Sequence, residues 1–175
     1  KLCQTAMSKA PSSIDVALKV LEVSLYFGNP YTVQHNEFLD ELQKRVTDSF
    51  VKDEYEAPLP IIKCNDKIHI AVISNQLFSG DVADFLLPLL ERIDSTKFDL
   101  TVYQQSAAGG PVFEVLKSTA PNWRRIVDLD NDVVELILER EGTDLVIDLC
   151  GFSENGRPAL FAALGKRKPV INMFC

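Results

Sequence analysis

Short apolar runs alternate with segments of helical period from Lys67 to the end of the sequence. The apolar runs predict strands over 67–74, 98–104, 123–129, 144–150 and 169–174, and the segments between them predict helices over 82–93, 111–119, 131–141 and 156–165. Strands rich in Val, Ile and Leu, each followed by a helix, are typical of a parallel sheet covered on both faces. The pattern therefore predicts an α/β, Rossmann-like domain with a parallel sheet of about five strands.

The sequence before this region has a different pattern. Apolar residues at helical spacing predict two helices, over about 12–27 and 33–46, and the Gly28-Asn29-Pro30 turn joins them into a helical hairpin. Residues 51–66 carry two prolines and no sustained period, which predicts a linker. We expect three parts: a hairpin over 1–50, a linker over 51–66 and the Rossmann-like domain over 67–175.

Composition excludes some classes of function. The chain has 175 residues and a net charge of −7, so a broad basic surface for nucleic acid is not expected. No apolar run reaches the length of about 18 residues that a membrane helix needs, and no secretory signal follows Lys1. We expect a cytoplasmic or nucleocytoplasmic protein without membrane contact, and a chain beginning at Lys1 is typical of a piece of a longer protein.

Cysteine and histidine offer little chemistry. The four cysteines, at positions 3, 64, 150 and 175, form no CxxC pair, which favours reduced thiols over a metal site. The two histidines are His35 and His69, and His69 lies inside a predicted strand. We therefore expect no metal and a packed, noncatalytic His69.

The polar turn SNQLFSGD follows the first predicted strand. A dinucleotide fingerprint would place GxGxxG here, and neither that motif nor a P-loop is present. Ser74 and Asn75 lie at the carboxyl end of the strand, where this architecture binds ligands. Two readings stay open, a cleft-lining turn and a loop that only caps the next helix.

A second polar turn, GFSENGR, follows the fourth predicted strand, which ends near Asp148. Burying a carboxylate between Ile147 and Leu149 is costly unless it is hydrogen-bonded or paired. Asp148 is therefore either a cleft carboxylate suited to proton transfer or an acceptor for backbone N–H groups of the adjacent turn. The turn adds small and polar groups that could contact a ligand: Gly151, Ser153, Asn155 and Arg157.

Arg157 begins a predicted helix, where the helix dipole disfavours a positive charge. A residue placed against local preference suggests a compensating partner. Asp148, Glu154 and a ligand anion are the candidates.

The run VIDLCGFSENGRPALFAALGKRKPVINMF resembles the catalytic region of the O-linked N-acetylglucosamine transferase / SPINDLY family. In that family a strand ending in D-x-x-G precedes a Thr or Ser, an Arg and a helix rich in Leu, Phe and Ala. KIHIAVIS and FDLTVYQQ are similar to the family's first two strands, so the resemblance covers about residues 67–175. The hairpin is similar in place to the tetratricopeptide helices that precede this domain.

The resemblance implies the amino-terminal lobe of a two-lobe (GT-B) glycosyltransferase that moves a sugar to Ser or Thr of an acceptor protein. It implies that this lobe lines the acceptor side, while a carboxyl-terminal lobe binds a nucleotide-sugar such as a UDP-sugar, without a further cofactor. Asp148 would organise the site or accept a proton, and the substrate-binding residues would be Ser74, Asn75, Gly151, Ser153, Asn155 and Arg157. The chain alone would then be inactive.

This chain departs from the family at two places. The turn after the first strand lacks the family's histidine, and Phe152 stands at an aromatic-or-His position where it cannot transfer a proton. A rival hypothesis is therefore a noncatalytic Rossmann-like module for interaction or assembly.

Overall fold

The computed structural model describes residues 2–9, 17, 19–20, 33–50, 67–107, 109–153 and 155–173. Contacts divide the chain into two units. The first comprises Lys1–Tyr55 with Phe152–Glu154, and the second comprises Glu56–Gly151 with Asn155–Cys175.

The first unit is helical. Helix α1 spans Leu2–Lys9, which the sequence pattern did not predict, and α2 spans Val33–Phe50, four residues beyond its predicted end. Ala17, Lys19 and Val20 are helical, while the rest of the predicted 12–27 helix, the Gly28-Asn29-Pro30 turn and the 51–66 linker lie outside the described residues. The apolar cluster of this unit has a buried centre of Ala17, Val20 and Leu42, with Ala6, Phe38, Leu39 and Phe152 packed against it.

The second unit alternates strand and helix as predicted. Its elements are β1 Ile68–Ser74, α3 Gly80–Arg92, β2 Phe98–Gln104, α4 Pro111–Thr119, β3 Asn122–Arg125, α5 Asn131–Arg140, β4 Leu145–Asp148, α6 Pro158–Gly165 and β5 Val170–Asn172. The five strands form one parallel sheet in the order β3-β2-β1-β4-β5, which confirms the predicted α/β, Rossmann-like class.

One face of the sheet is apolar from the amino ends to the carboxyl ends of its strands. Side chains alternate between faces along a strand, so Ile68, Ile70 and Val72 of β1 share a face, as do Phe98, Leu100 and Val102 of β2. Helices α3 and α4 cover this face with Val82, Leu86, Leu90, Phe113 and Leu116. Their burial removes apolar area from water, which is the main favourable contribution to folding.

The opposite face is apolar only toward the carboxyl ends of the strands. There Ala71, Ile73 and Tyr103 pack under α5 and α6, which contribute Val134, Leu138, Leu160, Phe161 and Leu164. Toward the amino ends the same face carries His69, Asp99, Thr101, Asn122 and Arg124. The prediction of a packed His69 is therefore wrong, because its side chain is 41% exposed and lies 3.6 Å from the Asp99 carboxylate.

Within the parts of the chain that the structure describes, no helix combines the length and the apolar character needed to cross a bilayer.

Candidate functional site

The two polar turns singled out in the sequence meet at one place on the sheet. β1 pairs with β4 as well as with β2, so the strand order reverses between β1 and β4. Ile73 is the register partner of Asp148, which sets Ser74 and Asn75 beside the end of β4. In open parallel sheets the crevice beyond this reversal is where ligands bind.

Five buried polar residues line this edge of the sheet, and we refer to them as the edge cluster: Ser74, Asn75, Gln104, Gln105 and Asp148. They come from the carboxyl ends of β1, β2 and β4 or from the residue that follows. Burying so many polar groups is costly unless each one finds a partner. The bonds they make therefore indicate how the site is built.

Asp148 is the one buried carboxylate among the residues that the structure describes, at 1% exposure. Its Oδ1 accepts hydrogen bonds from the backbone N–H of Cys150 at 2.7 Å and of Gly151 at 3.2 Å. Burial raises the pKa of Asp148 to about 6, against the lowering effect of these two bonds. Asp148 is therefore an acceptor for the backbone of the adjacent turn, and its alternative role in proton transfer stays a prediction.

The turn after β4 needs unusual backbone conformations. Gly151 has φ of 53° and Asn155 has φ of 61°, both in the left-handed region. Glycine meets no Cβ penalty there, and asparagine is among the residues that tolerate it best. Both residue types therefore suit the turn that connects β4 with α6.

Ser74 and Asn75 begin the turn after β1. The Ser74 hydroxyl accepts a hydrogen bond from the backbone N–H of Gln76 at 3.1 Å, and Ser74 is fully buried. Asn75 is 5% exposed. Ser74 therefore shapes the turn itself and does not cap the next helix, which begins at Gly80 with no side-chain hydrogen bond at its N-cap, Ser79. The role of Asn75 in lining a cleft stays a prediction.

Gln104 and Gln105 are members of the cluster that the sequence analysis missed. The backbone N–H of Gln105 donates to the Ser74 carbonyl at 2.9 Å, and its side-chain amide donates to the Asn155 carbonyl. Gln105 thereby joins the turn after β1 to the turn after β4. The sequence contains a clue, since FDLTVYQQ ends in two side-chain amides. That pair indicates a site only once β2 is known to lie beside β1.

Arg157 has partners other than those expected. Its guanidinium donates to the Asn131 side-chain oxygen at 2.9 Å and to the Ile126 carbonyl at 3.1 Å. No carboxylate pairs with it among the residues that the structure describes, which excludes Asp148 from the three candidate partners. Glu154, the second candidate, lies outside those residues. The positive charge of Arg157 is solvated by neutral oxygens at the rim of the edge cluster.

Ser153 does not group with the other predicted site residues. The contacts assign Phe152–Glu154 to the first unit, whereas Ser74, Asn75, Asp148, Gly151, Asn155 and Arg157 all belong to the second. Phe152 packs against the apolar cluster of the helices. At the position where the resemblance places an aromatic or a histidine, this chain therefore has a packing residue.

Cys150 is a free, buried thiol, in agreement with the sequence analysis. Its Sγ lies 3.7 Å from the Ile73 carbonyl and 3.9 Å from the Gln105 side-chain oxygen. Burial, and secondarily the nearby Asp148 carboxylate, raise the pKa of this thiol. A thiol held protonated is a weak nucleophile, so Cys150 contributes packing and not covalent chemistry.

Comparison with solved structures finds chains of similar fold. A point mutant of the O-GlcNAc transferase from Thermobaculum terrenum matches with a TM-score of 0.74 and 17% sequence identity, covering 98% of this chain and 32% of that chain. This chain thus spans about a third of the length of that structure. No protein-family model and no curated protein matches the sequence. The chain is therefore similar in fold to part of that structure, and the likeness extends to fold alone.

Proposed function

We propose that this chain is the acceptor-side lobe of a glycosyltransferase that moves a sugar from a nucleotide-sugar to Ser or Thr of a protein. The observation that carries the proposal is the edge cluster at the reversal of strand order, in a chain whose fold is similar to part of an O-GlcNAc transferase. A UDP-sugar or a similar donor would be held mainly by a second, carboxyl-terminal lobe. The setting would be cytoplasmic or nucleocytoplasmic.

The reaction requires few groups from this lobe. The acceptor hydroxyl oxygen attacks the anomeric carbon, the bond from that carbon to the diphosphate breaks, and the hydroxyl proton passes to a nearby base or to water. Asp148 already binds two backbone N–H groups through one oxygen, so its main role is to organise the turn. With a pKa near 6 it is ionised at neutral pH, and it can also receive a proton.

The remaining polar groups bind substrate in this proposal. We assign contacts with the acceptor chain to Asn75, Asn155 and the backbone of Gly151, while Ser74 shapes the turn that carries Asn75. Arg157, whose charge meets only neutral oxygens among its described partners, binds an anionic or carbonyl group of the substrate.

A noncatalytic interaction module is the second candidate, and one observation favours it. His69 lies at the amino end of β1, opposite the edge cluster, and the sequence has only one other histidine, His35 in α2. A lobe without a histidine at the crevice has fewer ways to move a proton. The two candidates differ in whether an acceptor hydroxyl is recognised.

The proposal is tested by titrating the ¹⁵N-labelled chain with a pool of Ser/Thr-containing peptides and with the same pool carrying Ala at those positions. We expect hydroxyl-dependent shifts in the amides of 75–79 and 149–157, because the acceptor would lie along these turns. Equal shifts with both pools, or none at these turns, would favour the interaction module. Sugar transfer from UDP-N-acetylglucosamine by the chain alone would contradict the two-lobe reading.

Two arginine variants provide a matched control. Arg157→Met removes the guanidinium at the crevice and should abolish the hydroxyl-dependent shifts. Arg140→Met removes an exposed guanidinium from the last turn of α5 and should leave them unchanged. Unshifted amides elsewhere in the spectrum would establish that both variants are folded.

A further inference from the structure

A polar cavity of about 240 Å³ opens on the second face of the sheet, toward the amino ends of the strands. We refer to it as the face cavity, and its lining consists of His69, Ile70, Asp99, Thr101, Tyr103, Asn122, Arg124, Glu141 and Thr143. Its floor is formed by side chains of β1, β2 and β3, and its wall by the residues that follow α5. None of these residues belongs to the edge cluster.

The two carboxylates of the cavity are held in place by their neighbours. Glu141 accepts the Tyr103 hydroxyl at 2.6 Å and the Arg124 Nε–H at 3.1 Å. Asp99 accepts the Asn122 amide at 2.8 Å and lies 3.6 Å from the His69 ring. Each carboxylate is therefore an oriented acceptor. Glu141 is paired with the guanidinium of Arg124, whereas Asp99 is held by a neutral amide.

The cavity also keeps hydrogen-bonding capacity that the fold does not use. Thr101 stands on the floor, and its hydroxyl bonds to none of the residues that the structure describes. Arg124 uses its Nε and one terminal nitrogen, on Glu141 and the Trp123 carbonyl, which leaves N–H groups of a half-exposed guanidinium available. The cavity thus offers both hydrogen-bond acceptors and hydrogen-bond donors to a ligand.

We propose that the face cavity binds a small polyol of about the size of a monosaccharide, without an anionic group. A volume of about 240 Å³ lies just below the range of about 300–1,000 Å³ that is typical of pockets for drug-sized ligands, so a single ring is the size that fits. A hydroxyl group both donates and accepts, so neighbouring hydroxyls can donate to Asp99 and Glu141 while accepting from Thr101 and Arg124. An anionic group would meet two carboxylates, which the single guanidinium of Arg124 offsets only in part.

This inference is independent of the proposed function, since it concerns another face of the sheet. Titration of the ¹⁵N-labelled chain with glucose and with myo-inositol tests it, with glucose 6-phosphate and glucosamine as charged probes of similar size. We expect shifts in the amides of 99–103, 122–124 and 141–143, with dissociation constants of about 1–10 mM for an open polar site. Glucose 6-phosphate should bind about tenfold more weakly, because its phosphate would meet two carboxylates, whereas glucosamine should bind about as well as glucose.

Two variants connect the binding to the proposed contacts. Thr101→Val keeps the shape and removes the hydroxyl, and we expect binding about fivefold weaker, whereas Thr119→Val on α4 should change nothing. Arg124→Gln alters a half-exposed side chain, so it gives a second reading if Thr101→Val does not fold. The inference is overturned if no shifts appear at ligand concentrations up to 50-fold above the expected constants, if glucose 6-phosphate is preferred to glucose, or if neither variant weakens binding.

Discussion

The edge cluster and the face cavity are two polar regions of one sheet that are constructed in different ways. The edge cluster is buried, and its central carboxylate, Asp148, is held by backbone N–H groups of a tight turn. The face cavity is half open, and its carboxylates, Asp99 and Glu141, are held by other side chains. A carboxylate held by the backbone cannot be removed without orphaning buried donors, whereas one held by side chains can exchange a partner for water or a ligand.

The largest loss of stability is expected from a substitution in the apolar core, outside both polar regions. Leu138 of α5 is fully buried against the carboxyl half of the second face, and Leu138→Ala should lower the free energy of unfolding by about 2–5 kcal/mol. Leu136→Ala on the same helix is the control, because Leu136 is 58% exposed and its loss should cost less than about 0.5 kcal/mol. Urea denaturation of both variants measures the difference, and equal losses would contradict the assignment of this face.

Removing Asp148 should have the next largest effect. Asp148→Ala leaves the N–H groups of Cys150 and Gly151 buried without acceptors, and we expect a loss of about 2–4 kcal/mol. Asp148→Asn keeps an oxygen for both donors and should be tolerated. If both variants were equally destabilised, the carboxyl group would be needed for its charge and not as an acceptor.

The same residue predicts a pH dependence with a definite sign. The pKa of Asp148 is about 6 in the folded chain and 3.8 for an ordinary aspartate, so the folded state binds more protons between these values. Its contribution to stability therefore decreases as pH rises from about 4 to 6, by about 1–3 kcal/mol. Asn does not titrate, so the stability of Asp148→Asn should lack this pH dependence. Measured by thermal unfolding, the stability of the variant relative to the parent chain should therefore be higher at pH 8 than at pH 4.

A smaller effect is expected from the left-handed backbone of the turn. Gly151→Ala places a Cβ at φ of 53° and should lower the free energy of unfolding by about 1–2 kcal/mol. Gly80→Ala, in the first turn of α3 with no atom within 4 Å of the new Cβ, should be neutral or slightly stabilising. Chemical denaturation distinguishes them, and a neutral Gly151→Ala would mean that the turn can relax.

The smallest loss of stability is expected from a substitution at the face cavity. Tyr103→Phe removes one hydrogen bond to Glu141 and retains the buried ring, so we expect a loss of about 0.5–1.5 kcal/mol. Arg124 remains as a partner of Glu141, which is the reason that the loss is small. A loss equal to that of Asp148→Ala would remove the distinction between the two regions.

The sequence pattern predicted the fold well because the fold depends on local periodicity. Runs such as IHIAVIS and LVID identify central strands wherever they lie along the chain, and each is followed by an amphipathic helix. The alternation in FDLTVYQ also encoded the polar half of the second face, since Asp99, Thr101 and Tyr103 share one side. The prediction of a packed His69 is wrong because His69 of β1 lies on this polar half, beside Asp99 of β2.

The site was less predictable because it depends on the order of strands. Asp148, Ser74 and Asn75 were identified from their places after apolar runs, and the sheet brings them to one crevice. Gln105 bridges the turns after β1 and β4. Arg157 donates a hydrogen bond to the carbonyl of Ile126, the residue that follows β3. Both contacts join residues that are far apart in sequence. Local patterns carry no information about such neighbours, so these contacts were missed or misassigned.

The central place of β1 has a consequence for folding. β1 pairs with β2, which follows it closely, but also with β4, where the bond from His69 N–H to Asp144 spans 75 residues. Contacts of long sequence separation close late because chain entropy opposes them until neighbouring structure is formed. We therefore expect β4 to join the sheet after β1, β2 and β3, so the edge cluster appears only in the completed fold. A molecule that binds there would recognise the native state alone, and its concentration would shift the folding equilibrium toward that state.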